Sequence, residues 1–261
     1  MFPELRRWVQ ENQGFLDDGL EVRACARGRG LFWAGASSGL DPGKCLLSLP
    51  LEACLSSADP CVAELPVNSL FRLTELFCRE LQKGPDSRWA LWFAALPANC
   101  GNWPEWPEDK RSEAKAEGVK LLTWQKQLSQ ILPDSAIAGL RGASGPFRRA
   151  LAVLLSRRFN ITCAGAHVAV CVPFGDMINH APSCEATVEV QYHEAWRELR
   201  FVTTRPVTSM QELFMCYGDF GNSELCANHG FTPSPLRRAE ELPASSKAGP
   251  PGERTVRFNY A

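Results

Sequence analysis

The chain has 261 residues, 45% of them hydrophobic and 22% charged, with a formal net charge of −1 and a sequence pI of about 6.4. This balance excludes disorder as the main state and leaves length for one large domain or two smaller ones, each with a real core. It also lacks the basic excess that nucleic acid or an anionic membrane surface selects, so neither is an expected partner. Eleven cysteines, with no pair at C-x-x-C spacing, read as mostly buried thiols in a reducing compartment. The opening Met1-Phe-Pro-Glu-Leu-Arg-Arg-Trp8 carries charge, and no apolar run approaches the ~18 residues of a membrane span. The expected location is cytoplasmic or nuclear, with a plastid also open.

Leu5, Trp8 and Val9 share a helical face ahead of Gly14, which predicts a short N-terminal helix. The period then changes. Val22–Cys25, Leu31–Ala34 and Lys44–Leu49 read as short strands separated by Arg-Gly-Arg-Gly and Ser-Gly-Leu-Asp-Pro-Gly turns. From about Leu65 to Phe159 the pattern is helical: Leu70, Leu73, Phe77 and Leu81 form one face, and Trp89, Trp92, Phe93 and Leu96 another, with Asp86 placed to cap the second. Two more helices are expected, around Gly118–Leu132 and from Pro146, a good first helical residue, to Phe159. Strands return at Val168–Val172, Thr187–Tyr192, Leu199–Thr204 and Glu212–Cys216. Beyond Phe231 the Pro-, Gly- and Ser-rich sequence lacks a core pattern and reads as a loose tail. An order of β, then α, then β suits an α+β protein with a helical insertion better than an alternating βαβ sheet.

Several short motifs carry little by themselves. Gly35-Ala-Ser37-Ser-Gly39 matches the nucleophile-elbow pattern, but a turn follows where a helix is needed. Gly28-Arg-Gly30 lacks the third glycine of a dinucleotide loop and stands alone as a tight turn. His167, Cys171, His180 and Cys184 form two H-x-x-x-C pairs with zinc-type donors. Four residues of strand span about 13 Å, so a shared metal requires a bend. Asn179-His180, taken alone, is a pair of turn residues, and Tyr217 alone is a core tyrosine.

In order, these segments form a pattern. Arg27-Gly-Arg-Gly-Leu31-Phe-Trp-Ala34 is followed by Ser156-Arg157-Arg-Phe159 and by Pro173-Phe-Gly-Asp176-Met-Ile-Asn179-His180. Then come Glu212-Leu-Phe-Met-Cys-Tyr217-Gly218 and Asn222-Ser-Glu224-Leu to Gly230-Phe231. The set resembles a SET-domain protein methyltransferase of the branch with a helical insertion, typified by Rubisco large-subunit lysine methyltransferase. The resemblance implies a β-rich SET fold of small sheets. Residues 1–62 and 161–233 would form its two parts, 63–160 the helical insertion and 234–261 the loose tail.

It further implies an S-adenosylmethionine (SAM)-dependent transferase acting on lysine, with histidine as another acceptor, in a non-histone protein substrate. A catalytically inactive SET-like binding module and a zinc protein remain the alternatives. SAM carries a sulfonium beside an amino-acid carboxylate, so its pocket needs a cation for the carboxylate and oxygens near the methyl. By the resemblance, Arg157 serves the carboxylate, Asn179 and His180 hold the adenine and amino-acid ends, and Asp176 supports that loop. Phe231 flanks the adenine, and Arg27 and Arg29 lie on the opening hairpin against the cofactor. Tyr217 orients the sulfonium and the acceptor nitrogen. Phe159 and His229 belong to the acceptor channel, with His229 standing where the plant enzyme has tyrosine. No Cys-rich segment follows Tyr217, so no metal site is expected. The chain is expected to be a monomer whose partner is its protein substrate. Relatives continue into a C-terminal helical domain, where 30 residues follow Phe231 in this chain.

Overall fold

Short apolar runs separated by Gly- and Pro-containing turns set residues 15–56 as short antiparallel strands. In the computed structural model, residues 2–35, 39–65, 67–107, 109–110, 112, 145–232 and 253–255 are described. The chain divides into two compact units, one of residues 1–56, 159–219 and 238–261 and one of residues 57–158 and 220–237.

The first unit begins with helix α1 (Phe2–Glu11), which buries Leu5, Trp8 and Val9 as their spacing predicts. Strands β1 (Phe15–Leu16), β2 (Leu20–Cys25), β3 (Gly28–Trp33), β4 (Cys45–Pro50) and β5 (Leu55–Ser56) follow. After the second unit's helices come β6 (Phe159–Cys163), β7 (Ala166–Cys171), β8 (Asn179–His180), β9 (Val188–His193) and β10 (Glu198–Thr203). Strands β11 (Gln211–Glu212), β12 (Phe214–Met215) and β13 (Glu253–Thr255) complete the set. They form three sheets: β1-β4-β10-β9-β12-β8 with β13 beside β9, then β11-β3-β2, then β5-β7-β6. Leu46, Leu47 and Leu49 of β4 and Leu199 and Phe201 of β10 supply much of the core, and β7 is buried continuously from Val168 to Cys171. Apolar burial at about 25 cal/mol per Å² is the main force holding these small sheets together.

Three elements differ from the sequence reading. Glu212–Cys216 is expected as one strand but changes sheets at Leu213. Its N–H donates to Leu31 of β3 at 2.8 Å, while the next carbonyl, of Phe214, accepts from Thr187 N at 2.9 Å. Helical periodicity up to Phe159 gives way two residues earlier. Arg158 is extended at ψ 150°, and Phe159, Ile161 and Cys163 then alternate inward as β6. Asn179-His180 is not a turn but a two-residue strand running parallel to Phe214–Met215.

The second unit is helical: α2 (Ser69–Gln82), α3 (Ala90–Ala95), α4 (Pro146–Arg157) and α5 (Asn222–His229). Asn68 caps α2, its side chain accepting from Phe71 N at 3.1 Å, and Pro146 opens α4 as expected. Asp86 does not cap α3. It lies in a 3₁₀ turn, and Ser87 Oγ accepts from Trp89 N at 3.2 Å instead. Phe77 packs edge-on to Trp92 with centroids 6.0 Å apart, among Phe71, Leu73, Leu76 and the buried run Ala150–Leu155. Helix α5 starts with Gly221 N donating to Glu224 Oε2 at 3.2 Å and ends at Gly230, which is left-handed at φ 79°.

The expected helix at 118–132 lies outside the described residues, as do positions 36–38 of the elbow-like motif and most of the tail. Only Cys54, Cys163 and Cys171 are buried; six cysteines are half-buried and Cys61 and Cys184 are exposed, so the reading of mostly buried thiols does not hold. No helix among the described residues is long and apolar enough to cross a membrane.

Candidate functional site

Within the first unit, Val172-Pro-Phe-Gly leads into the site through a constrained bend. Phe174 takes φ 76°, a left-handed value costly for a bulky residue, and starts the 3₁₀ turn Gly175–Met177. Only glycine fits at 175, because a Cβ there would press on Phe201 and come within 2.9 Å of Leu47 Cδ2. The bend places buried Asp176 one turn ahead of β8 and delivers Asn179 and His180 in extended form.

Asn179 and His180 are then gripped by the hairpin of β2 and β3. The Asn179 amide Nδ2 donates to Arg29 O at 2.9 Å and to Glu212 Oε1 at 2.8 Å, with Cys25 Sγ at 3.5 Å. The Arg27 guanidinium donates to His180 O and lies over the Phe214 ring, 5.0 Å from its centroid. Arg29 sits over Phe2 of α1 at 5.4 Å. Tyr217 is held at both ends: its N–H donates to His180 Nδ1 at 3.1 Å and its hydroxyl donates to Ile178 O at 2.7 Å. The two rings lie 5.2 Å apart.

Because Nδ1 accepts this N–H, the imidazole is neutral there. Burial, reinforced by the Arg27 charge, pushes His180 down to about 4 against weaker opposing effects of Met215 and Asp219. At neutral pH, Tyr217 therefore has an uncharged neighbour in His180. Phe159 is fully buried in β6 and packs edge-on to Phe201 at 5.6 Å.

In the second unit, Arg157 closes α4, and His229 closes α5. His229 Nδ1 lies 3.2 Å from Ser156 O, and its ring stands between Phe220 at 6.2 Å and Phe231 at 6.1 Å. This corner is anchored by Asn102, which is fully buried and donates to Ala152 O at 2.7 Å and Asn228 O at 2.9 Å. Nothing in the sequence around Asn102 marks it, since Asn-Trp-Pro reads as an ordinary turn. Glu212 was visible only as part of a motif, with no role attached.

The order of these segments is that of a known domain, and the profile of the SET domain matches residues 40–218. The chain belongs to the SET-domain family. The match covers the Asp176–His180 and Glu212–Tyr217 segments and leaves the Gly28–Gly30 hairpin and the Asn222–Phe231 ending outside it. Mouse SET domain-containing protein 4 is 25% identical over 260 residues, covering 88% of this chain and 58% of the mouse protein. The human protein of that name is 26% identical over 263 residues, with the same coverage. The chain thus spans less than two thirds of the length of the curated relatives it matches. Among solved structures, the SET domain of LSMT bound to lysine and AdoHcy superposes with a TM-score of 0.66 at 18% identity, over 88% of this chain and 57% of that one. Rubisco LSMT bound to AdoMet gives 0.65 at 18%, over 89% and 56%. The fold is that of these SET domains. Among the described residues, no group of three or more His, Cys, Asp or Glu side chains is placed to share a metal ion.

Proposed function

We propose that this chain is a SAM-dependent protein methyltransferase that modifies lysine, with histidine as a further acceptor. The observation that carries the reading is the double anchoring of Tyr217 beside a neutral His180. SAM supplies an electrophilic methyl on a cationic sulfur. The donor set fits such a group: the Tyr217 phenol oxygen lies against the Ile178 carbonyl, and His180 adds no positive charge at neutral pH. A phenol with pKa of about 10 stays neutral and orients its surroundings rather than attacking.

Asn179 and His180, gripped by the hairpin, would hold the cofactor, with Asp176 supporting the bend and Arg27 and Arg29 stiffening the hairpin. Arg157 would meet the cofactor carboxylate and Phe231 the adenine. His229 and Phe159 are assigned to the acceptor. A lysine with a free pKa near ~10.4 must shed its proton before it can accept a methyl, which desolvation favours. Support comes from family membership and from neighbours solved with AdoMet, AdoHcy and lysine.

The reading is tested by incubating the chain with isotopically methyl-labelled SAM and a panel of lysine- and histidine-containing peptides, with mass spectrometry locating the label. Label on lysine that disappears in Tyr217→Phe is expected. SAM binding with no transfer to any peptide or protein acceptor would overturn the enzymatic reading and leave a binding module.

A further inference from the structure

The β2–β3 hairpin and strand β8 belong to different sheets, yet one residue reaches both. We infer that Glu212 is a positioning residue for cofactor binding: its carboxylate holds the Asn179 amide against the hairpin and thereby fixes the backbone of Asn179–His180. This rests on the SAM-binding reading above.

Glu212 reaches the hairpin through the backbone, where β11 pairs with β3 and Glu212 lies opposite Phe32. It reaches β8 through its side chain, where Oε1 accepts from Asn179 Nδ2 at 2.8 Å. The second Asn179 amide hydrogen serves Arg29 O at 2.9 Å. Glu212 and the Arg29 carbonyl are the two oxygen acceptors of this amide and, with Cys25 Sγ at 3.5 Å, set its plane. A hydrogen bond to a carboxylate is roughly twice as strong as one between neutral groups. Gly30 is the price of this approach, for a Cβ there would collide with Glu212 Oε1 and stand 2.8 Å from Asn179 Nδ2. The carboxylate is also felt by Cys25, whose thiol is raised first by burial and then further by Glu212. Glu212 takes part in neither hydrogen bond given for Tyr217, from its N–H to His180 Nδ1 and from its hydroxyl to Ile178 O. Glu212 should accordingly govern how well SAM is held rather than how fast bound SAM reacts.

The test measures SAM dissociation constants by calorimetry, and kcat and KM for SAM by methyl transfer, for the unaltered protein and five variants. Glu212→Ala should weaken SAM binding by tenfold or more, equivalent to about 1.4 kcal/mol, and raise KM with a smaller change in kcat. Glu212→Gln retains an acceptor of the same length and should stay within about threefold of the unaltered protein. Glu212→Asp keeps the charge but withdraws it by one methylene, and should weaken binding as Ala does. It carries the test should the Ala variant fold poorly. Asn179→Ala should weaken binding at least as much as Glu212→Ala, since it also loses the Arg29 carbonyl, and the double variant should be no weaker than Asn179→Ala alone, since Glu212 acts through that amide. SAM binding that Glu212→Ala and Glu212→Asp leave unchanged would overturn the inference alone, as would losses that add in the double variant. No SAM binding by the unaltered protein would overturn the cofactor reading together with it.

Discussion

Replacing Tyr217 with phenylalanine removes one hydroxyl and leaves the ring, so its effects divide cleanly between stability and chemistry. The side chain is buried, with 8% of its surface exposed, and the Ile178 carbonyl that takes its proton lies in a residue only 1% exposed. Losing that donor leaves a buried acceptor unpaired, at a cost of about 1–2 kcal/mol. For a chain of this size that lowers the melting temperature by roughly 2–8 °C. The bond from Tyr217 N to His180 Nδ1 runs through the backbone and survives the substitution. SAM affinity should hold, while transfer should fall tenfold or more, each decade corresponding to about 1.36 kcal/mol of lost transition-state stabilisation. Melting curves, with SAM titration and initial rates at saturating SAM at one fixed temperature, all on the same preparation, separate the three effects. A variant that melts lower yet turns over at the unaltered rate would refute the chemical role and return Tyr217 to the core.

His180 gives a pH dependence of definite sign. Its imidazole titrates near 4 in the folded protein and near ~6.5 in the unfolded chain, so the unfolded chain binds more protons between those values. The contribution, on the order of 3 kcal/mol, is complete above the unfolded value and is lost as pH falls towards the folded one. Urea midpoints at pH 7.5 and 4.5, with NMR of the imidazole, check this, and a ring that titrates at its ordinary value would contradict it. Asn102→Ala takes this donor away from the buried Ala152 carbonyl and the half-buried Asn228 carbonyl and should cost about 1–3 kcal/mol in urea unfolding. A loss below about 0.5 kcal/mol would mean the corner at His229 is anchored elsewhere. His229→Tyr replaces the ring nitrogen that faces Ser156 O and should change the lysine-to-histidine ratio of labelled peptides. An unchanged ratio would place His229 away from the acceptor.

What the sequence made legible was local. The turns around Gly28 and Gly43, the short strand runs of β2 to β4, the N-terminal helix and Pro146 at the start of α4 all depend on neighbours within a few residues. The sheet change at Leu213 was not legible, because Glu212–Cys216 alternates as a single strand would, and only the tertiary partners Leu31 and Thr187 divide it. Phe174 gave no sign of its positive φ, and the glycine after it gave no sign that a Cβ there would meet Phe201. In the site, Asn179, His180 and Tyr217 were visible as motif letters. The way they interlock, through Arg27, Arg29 and Glu212, involves partners between 33 and 154 residues apart and exists only in the fold.

The central claim, that this chain binds SAM, is tested most directly by melting the purified protein across a SAM titration. Ligand at a hundred times its dissociation constant should stabilise the fold by about 2.7 kcal/mol, raising the melting temperature by roughly 5–10 °C along a saturable one-site curve. A melting temperature that does not move at millimolar SAM would contradict it.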